Sequence, residues 1–247
     1  MKKIIFLGSK PIGYSCLEYL IKNSRNLNIQ LVGVLTNDNT RFQPELSVKK
    51  LCQKYSIRII DNLDEMLNIK NLDILISVQF HKILKQWHID IAKQIAVNLH
   101  MAPLPEYRGC NQFSFAILNN ESIFGTTLHK LEAEIDSGPI IAEKRFAIPK
   151  NCFVNELYDL TFIKSVELFE EQLGNIINDN FTLTSQKSFF DKRKTSIYYR
   201  KEIENIKKID LNWDKEKIEK HIRATSMPGF NPPYTYIGNK KINFIVK

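Results

Sequence analysis

Asn98 and His100 stand two positions apart at the end of the apolar run Ile95-Ala96-Val97. Side chains two positions apart on a strand point to the same face, so this amide and this imidazole are expected to converge. An imidazole accepts a proton near neutral pH, and an Asn amide donates a hydrogen bond to a developing oxyanion. The pair therefore predicts proton transfer with oxyanion stabilisation. A purely structural histidine is the alternative.

The chain beyond this pair offers a stiff loop and a third polar group. Two prolines stiffen the loop after His100, so Tyr107 and Arg108 are expected to face a ligand. Asp136 lies in a Gly-Pro turn between two apolar runs, where its carboxylate can orient an imidazole or accept its proton. An ordinary turn aspartate is the alternative interpretation.

The segment Gly8-Ser9-Lys10-Pro11-Ile12-Gly13 has two glycines at P-loop spacing. It is not a Walker loop, because Tyr14-Ser15 stands where such a loop has Lys-Ser/Thr, and it is not GxGxxG either. The segment lies between the first predicted strand and the first predicted helix, where backbone N–H groups can meet an anion. Lys10 is the side chain expected to contact a phosphate there, and a plain turn is the alternative.

The composition is that of an ordinary globular protein, with a formal net charge of +8 over 247 residues. Because the lysines are dispersed, nucleic-acid binding is not favoured, whereas a phosphate-bearing small molecule suits the same charge. Four cysteines occur without a CxxC pair, and no histidine spacing suggests a metal site. We therefore expect a reduced, cytoplasmic protein without metal. No apolar run reaches transmembrane length, so no membrane span is expected.

Short apolar runs alternate with helical patterns through the first 120 residues. Apolar strands between helices predict a Rossmann-like, doubly wound α/β domain with a mostly parallel sheet, whose ligands bind at the carboxyl ends of the strands. The predicted strands are Lys3–Leu7, Gln30–Thr36, Arg58–Ile60, Leu72–Val78 and Ile95–His100. The predicted helices are Tyr14–Asn23, Val48–Tyr55, Lys85–Ala92 and Phe113–Asn119.

After residue 120 the pattern changes to two further strands and one long amphipathic helix. These are Thr126–Glu132, Ile140–Phe146 and Asn155 to about Ile177. We expect one main domain over residues 1–185 and a small C-terminal α+β appendage over residues 186–247. The appendage is predicted to hold hairpins, one turning at Gly238-Asn239, and a single helix with Asp214 as its N-cap.

Several separate motifs resemble those of the 10-formyltetrahydrofolate-dependent formyltransferases, and they occur in that family's order. They are Asn98-Leu99-His100, the Pro103–Gly109 loop, Gly125–His129 and the turn Asp136–Ile141. The resemblance covers roughly residues 1 to 180 and implies the formyltransferase fold. One departure is visible: Met101-Ala102 stand where many members have Pro-Ser. That leaves the Asn-x-His…Asp set intact but puts a different surface beside the substrate.

The resemblance implies that Asn98, His100 and Asp136 are the catalytic triad of an enzyme that uses N10-formyltetrahydrofolate as co-substrate and needs no metal. In that chemistry a substrate amine attacks the formyl carbon. His100 takes the amine proton and Asn98 stabilises the oxyanion. Asp136 holds His100 oriented and helps deliver a proton to the leaving folate nitrogen.

The resemblance also implies a pterin pocket between the loop after the fourth strand and the backbone before the catalytic aspartate. The candidate folate contacts are Gln79, Phe80, Ile83, Glu132 and Ile135. The candidate substrate contacts are Lys10, Met101, Tyr107, Arg108 and Gln112. Among them Lys10 and Arg108 suit a diphosphate, and Tyr107 or Phe42 can stack on a base. A solvated or packing side chain is the alternative for each.

Three kinds of relative compete for the substrate assignment. Methionyl-tRNA formyltransferases carry a further C-terminal barrel that is too large for the residues after 185. Glycinamide ribonucleotide formyltransferases are nearly all core and would leave this tail unexplained. Sugar-nucleotide N-formyltransferases resemble the chain best, through the run Tyr107–Gln112 and through Arg223-Ala224 and Pro228-Gly229.

We therefore favour dTDP-4-amino-4,6-dideoxyglucose, a sugar nucleotide used for lipopolysaccharide O-antigen, as the substrate. A homodimer is expected, with the segment Ser188–Tyr199 either at its interface or in the core. The alternative from another class is a non-catalytic RNA-binding protein on the same fold, using the charge of +8.

Overall fold

A six-stranded sheet forms the centre of the structure, a computed structural model that describes residues 1–37 and 43–246. Its strands are β1 (Lys2–Gly8), β2 (Ile29–Leu35), β3 (Ile74–Val78), β4 (Ile95–His100), β6 (Ile123–Lys130) and β7 (Ile140–Ala147), in the order β2-β1-β3-β4-β6-β7. The first four strands are parallel, and β6 and β7 are antiparallel to their neighbours. The predicted doubly wound, mostly parallel sheet is confirmed.

Eight α-helices and four short strands surround this sheet in the described part of the chain. The helices are α1 (Lys10–Asn23), α2 (Val48–Lys54), α3 (Leu63–Met66), α4 (Gln86–Ile89), α5 (Gln112–Leu118), α6 (Val154–Ile177), α7 (Glu202–Lys207) and α8 (Lys215–Thr225). The short strands are β5 (Arg108–Gly109), β8 (Ile197–Tyr198), β9 (Tyr234–Ile237) and β10 (Lys240–Asn243). None of the described helices is both long and apolar enough to cross a bilayer.

Alternate side chains of β1 enter two different parts of the core. Ile4 and Phe6 pack with Leu17 of α1 and with Phe169 of α6, whereas Ile5 and Leu7 pack in the cluster on the opposite face. Because the sheet is covered on both faces, both sets of side chains on such a strand are buried. The strand therefore appears in the sequence as a continuous apolar run. Burying one such side chain contributes roughly 1.5–3 kcal/mol.

Two predicted elements differ most from the structure. Arg58–Ile60 was expected to be a strand, but Ile59 makes only an isolated bridge to Val34. Helix α4 spans four residues rather than Lys85–Ala92, because the chain is then drawn toward β3: Lys93 N–H donates to Leu72 O at 3.0 Å and Gln94 N–H to Asp73 O at 2.9 Å.

The C-terminal region differs from the expected hairpins and single helix. It holds two α-helices, α7 and α8, and one hairpin, β9–β10, within the described residues. Asp214 is the N-cap of α8 as predicted, since its carboxylate accepts from Lys217 N–H at 2.8 Å. Helix α8 packs against α5, where Ala224 joins a buried cluster with Tyr107 and Phe124. The region is therefore packed against the loops that follow β4.

Candidate active site

The pairing of β4 with β6 brings Asn98 and His100 next to the turn that carries Asp136. Asn98 and His100 project from one face of β4, and the chain reaches Asp136 shortly after β6 ends at Lys130. The structure therefore brings together the three residues predicted to act as a set. Asn98 Nδ2 lies 3.5 Å from Asp136 Oδ1, and His100 Nδ1 lies 3.6 Å from Asp136 Oδ2.

The two ring nitrogens of the buried His100 have different partners. Nε2 lies 2.7 Å from the backbone oxygen of Tyr107. A carbonyl oxygen can only accept, so we assign the hydrogen of the neutral imidazole to Nε2. Nδ1 is then the basic nitrogen, and it is the one that faces the Asp136 carboxylate. The loop after β4 thus selects the tautomer that can take up a proton on the side of the aspartate.

Asp136 sits in a strained turn that several groups hold in place. Its φ of 46° lies in the left-handed region, which few non-glycine residues adopt. Gln186 Nε2 donates to Asp136 O and to Gly138 O, both at 2.8 Å, and a Cβ at Gly138 would lie 1.8 Å from Lys130 O. The turn therefore needs glycine at 138 and a donor from the C-terminal region, a role for Gln186 that no local sequence signal indicated.

The carboxyl group of Asp136 stays charged although it is largely buried. Desolvation by burial acts to raise its pKa, but the positive charges that His100 and His129 carry when protonated and the Gly109 N–H, which donates to Oδ2 at 2.9 Å, together hold the pKa well below its usual range. An anionic Asp136 stabilises a proton arriving on Nδ1 of His100. The three side chains can therefore move a proton and donate to an oxyanion without a further charged group.

Arg108 holds the loop before Asp136 instead of facing the crevice with a free guanidinium. Its Nε and Nη2 donate to Ile135 O at 2.8 and 2.6 Å, and Nη2 also contacts Glu134 Oε1 at 2.8 Å. These contacts occupy Nε and Nη2, which makes Arg108 a weaker candidate for a diphosphate contact than a free guanidinium would be. Ile135, a candidate folate contact, has its carbonyl committed to Arg108.

Tyr107 and Met101 are core residues and not crevice residues. The Tyr107 side chain is buried, its hydroxyl donates to Glu121 at 2.8 Å and accepts from Asn119 at 3.1 Å, and its ring stacks on Tyr198. Met101 is fully buried in the main hydrophobic cluster. Both expectations of substrate contact are corrected, because the loop after β4 packs these side chains inward.

The remaining substrate candidates have different surroundings. Gln112, the first residue of α5, is also largely buried. Lys10 is exposed and donates from Nζ to Gln79 Oε1 at 2.9 Å. The protein atoms around its ammonium and then the charge of Arg200 lower the pKa of Lys10. Arg200 therefore lies within electrostatic range of Lys10, and it was missed because nothing in its local sequence marks it. Phe42 lies outside the described residues.

A cavity of about 520 Å³ lies beside the start of β4 and the segment that leads to Asp136. Ile89, Ala96 and Leu131 supply apolar surface, and Glu132, one of the candidate folate contacts, also lines the cavity. The other folate candidates, Gln79, Phe80, Ile83 and Ile135, are not among its lining residues, and Ile83 is 71% exposed. The other residues that line the cavity belong to ordinary helix and strand patterns, so the sequence did not single them out as ligand contacts. A second cavity, of about 340 Å³, contains none of the predicted site residues.

Comparison with known proteins identifies the family. The sequence pattern of the family described as formyl transferase matches residues 2–171. The chain belongs to this family. This formyltransferase carries its Asn98, His100 and Asp136 within the matched part, and Gln186 and Arg200 lie beyond it. Among residues 1–37 and 43–246 no group of three His, Cys, Asp or Glu side chains has the arrangement of a metal site.

Three relatives illustrate the range of proteins that this formyltransferase resembles. The bifunctional polymyxin resistance protein ArnA of Wigglesworthia glossinidia brevipalpis is 28% identical over 97% of the chain, which spans 37% of that longer protein. Methionyl-tRNA formyltransferase of Clostridium beijerinckii is 29% identical over 96% of the chain, which spans 76% of it. The N-formyltransferase of Helicobacter canadensis, solved with folinic acid and dTDP-3-aminofucose, superposes with a TM-score of 0.80 at 27% identity, covering 98% of this chain and 86% of that one.

Proposed function

We propose that the chain transfers a formyl group from N10-formyltetrahydrofolate to the amino group of a nucleotide-linked aminosugar. The observation that carries the proposal is the convergence of Asn98, His100 and Asp136 next to a cavity formed by the same strand and the same turn. The similarity of nearly the whole chain to an N-formyltransferase solved with a dTDP-aminosugar supports the substrate class.

The cavity beside β4 suits the flat ring of a folate. Its apolar surface comes from side chains such as Ile89 and Ala96, which are buried. Polar groups such as Gln86 and Glu132 stand at the edge, where the edge of a heterocycle can be recognised. Bound there, N10-formyltetrahydrofolate supplies the formyl group.

The side chains of the site then have separate tasks. His100 Nδ1 accepts the proton that the amine loses as its nitrogen bonds to the formyl carbon. Asn98 Nδ2 donates to the formyl oxygen while that oxygen carries negative charge. Asp136, ionised, stabilises the protonated imidazole. His100 then returns the proton to the folate nitrogen as its bond to the formyl carbon breaks. The products are tetrahydrofolate and the N-formyl sugar.

Lys10 and Arg200 are the groups proposed to bind the diphosphate of the sugar nucleotide. Their charges are close enough to lower the pKa of Lys10, and an anion between them relieves that repulsion. Arg108 is the weaker candidate for this contact because its Nε and Nη2 hold the loop before Asp136. The two cations Lys10 and Arg200 therefore support the proposal that the substrate is a small phosphorylated molecule.

The position of the amine is the finer part of the proposal. The sequence resemblance favours dTDP-4-amino-4,6-dideoxyglucose, whereas the Helicobacter canadensis enzyme was solved with a 3-amino sugar at 27% identity. Methionyl-tRNA is the second candidate acceptor, because a methionyl-tRNA formyltransferase is 29% identical over 96% of the chain. Both the 3-amino and the 4-amino sugars therefore belong among the substrates to be tested.

A panel assay tests the proposal directly. The protein is incubated with N10-formyltetrahydrofolate and, separately, dTDP-4-amino, dTDP-3-amino, UDP- and GDP-linked aminosugars, methionyl-tRNA and glycinamide ribonucleotide, and N-formyl products are identified by mass spectrometry. We expect turnover with a dTDP-aminosugar and none with the other acceptors. Turnover only with methionyl-tRNA, or no turnover with any sugar nucleotide, overturns the sugar assignment.

We also propose that the enzyme acts as a homodimer and that its product enters lipopolysaccharide O-antigen. Exposed apolar side chains on the β9–β10 hairpin, including Ile237 and Ile242, support an interface on that surface. The segment Ser188–Tyr199 is partly used within the chain, since Tyr198 stacks on Tyr107 and Phe115, whereas Phe190 and Tyr199 are exposed. Sedimentation velocity measures the oligomeric state.

A further inference from the structure

His129, the last residue of the motif Gly125–His129, lies directly behind Asn98, and the sequence assigned it no role in the site. The two residues are partners across the antiparallel pairing of β4 with β6. The His129 side chain is 1% exposed, so it cannot contact a substrate. Its ring nitrogens nevertheless have specific partners: Nδ1 lies 2.9 Å from Lys130 O, and Nε2 lies 3.1 Å from Asn98 Nδ2.

These contacts determine which nitrogen of a neutral His129 carries the hydrogen. The carbonyl of Lys130 can only accept, so Nδ1 donates to it and Nε2 is left with a lone pair. That lone pair faces the Asn98 amide. Asp136 Oδ1, another acceptor, lies 3.6 Å from the same Nε2. The Asn98 side chain therefore meets two acceptors on this side.

The two acceptors discriminate between the two orientations of the Asn98 amide. With Nδ2 toward them, one N–H donates to His129 Nε2. Nδ2 lies 3.5 Å from Asp136 Oδ1, a distance too long for a strong hydrogen bond, so the second N–H stays available to another acceptor. With the amide reversed, its oxygen would face a lone pair and a carboxylate, and a buried acceptor without a donor is costly. The reversed amide would also present no donor to an oxyanion.

We propose that His129 is a positioning residue that fixes the Asn98 amide with its N–H₂ group toward the reacting oxygen. It acts through Asn98 and touches no substrate. The inference rests on the proposed formyl transfer, in which Asn98 donates to the oxyanion. It makes His129 Nε2 the acceptor that keeps this donor preorganised before substrate arrives.

The kinetic test compares variants that remove or retain the acceptor at position 129. His129→Leu removes it at similar volume, and we expect kcat to fall on the order of 10-fold while KM for both substrates stays within about twofold. His129→Gln keeps an acceptor oxygen on the side chain and is expected to recover part of kcat. His221→Leu is the matched control, because it removes another histidine that bonds a backbone carbonyl, Ile206 O at 2.9 Å, on α8. It is expected to leave kcat unchanged.

A double-mutant cycle decides whether the effect passes through Asn98. If His129 acts only by orienting that amide, His129→Leu costs less than about twofold in kcat once Asn98→Ala is present. A full, additive loss in the Asn98→Ala background overturns the inference, as does an unchanged kcat for His129→Leu with folding intact by circular dichroism.

Long-range ¹⁵N–¹H NMR of histidine rings supplies a measurement that does not depend on turnover. We expect His129, assigned by its disappearance in His129→Gln, to show a protonated Nδ1 and an unprotonated Nε2. A protonated Nε2 overturns the inference even in an active enzyme. Absence of turnover by the wild-type chain in the substrate panel, with the expected tautomer present, overturns the proposed function and leaves the assigned geometry standing.

Discussion

At the scale of single residues, the environment separates the roles of the polar side chains in the crevice. His100 has one nitrogen committed to Tyr107 O at 2.7 Å, so only Nδ1 is available to exchange a proton. Asp136 faces that nitrogen and carries the negative charge, and Asn98 offers a neutral donor next to both. A base, a charge that stabilises its protonated form, and an oxyanion donor are the groups that acyl transfer to an amine needs.

Replacing His100 by Asn removes the proposed base while keeping a polar side chain. We expect kcat to fall by about 10²–10⁴, the usual contribution of a positioned acid–base group, with KM changed much less. Steady-state kinetics with the best acceptor of the panel measures this, and thermal denaturation checks folding. A variant that folds and keeps more than about half of the wild-type kcat would exclude His100 as the base.

Asp136 makes the stability of the fold depend on pH in a defined direction. Its pKa in the folded protein lies below the ordinary value of 3.8, so its charge stabilises the fold above that pH and the stabilisation is lost as the pH falls. We expect the difference in free energy of unfolding between wild type and Asp136→Asn to diminish below about pH 4, by at most ~1.4 kcal/mol per pH unit. Urea denaturation between pH 7 and 3 measures it, and a constant difference would contradict the assignment.

At the scale of elements, the segment from residue 184 to residue 200 returns to the loops that follow β4 and β6. Strand β8 pairs with β5, Arg108 to Ile197 and Gly109 to Tyr198. Arg193 makes a bidentate contact with Glu143 at 2.8 and 3.0 Å and donates to Leu104 O at 3.2 Å. The boundary predicted at residue 185 therefore falls just before a segment that supports the loops around Asp136.

Gln186 is expected to matter for rate although it lies outside the family match. Gln186→Leu leaves the carbonyls of Asp136 and Gly138 without their donor, which should lower stability by about 1–3 kcal/mol and let the strained turn relax. We expect kcat to fall on the order of 10-fold at a temperature where the variant is folded. Gln53→Leu on the exposed surface of α2 is the control. Equal kcat values for the two variants would show that the turn holds its shape without this contact.

At the scale of the whole molecule, the net charge of +8 is dispersed and only a small part of it belongs to the site. In the proposed complex a sugar diphosphate contacts Lys10 and Arg200, whereas a tRNA would engage many basic groups at once. Affinity for a nucleic acid falls steeply with salt because each phosphate contact releases counterions. The salt dependence of catalysis therefore distinguishes the two acceptor classes.

We expect log(kcat/KM) for a dTDP-aminosugar to fall with log salt concentration with a shallow slope of about −1 to −2, in contrast to the much steeper dependence of multi-phosphate contacts. Lys10→Met should raise KM for the sugar nucleotide, leave KM for the folate unchanged and flatten the slope. Lys22→Met is the control, because Lys22 is exposed near the far end of α1 and pairs with Glu18. A steep slope, or equal effects of the two lysine variants, would point away from a small diphosphate substrate.

Local patterns were sufficient for the six strands of the sheet, although they also predicted a strand at Arg58–Ile60 that does not form, and for the residues that share strand β4. The apolar run Ile95–Val97 and its polar end predicted β4 at its observed bounds, and period-two geometry put Asn98 and His100 on one face. The motifs around Asp136 led to the family. These features depend on neighbours a few residues apart, and such neighbours are visible in the sequence itself.

Only the tertiary structure decided which side chains surround that pair. His129 reaches Asn98 through antiparallel strand pairing across 31 positions, and Gln186 reaches Asp136 across 50. The same packing buries the side chains of Tyr107 and Met101 in the core and places Arg108 Nε where it donates to Ile135 O. Burial, tautomer and hydrogen-bond partners depend on segments that meet only after folding. The sequence by itself therefore determined the fold and the chemical groups of the site, and the packing decided which of them can act.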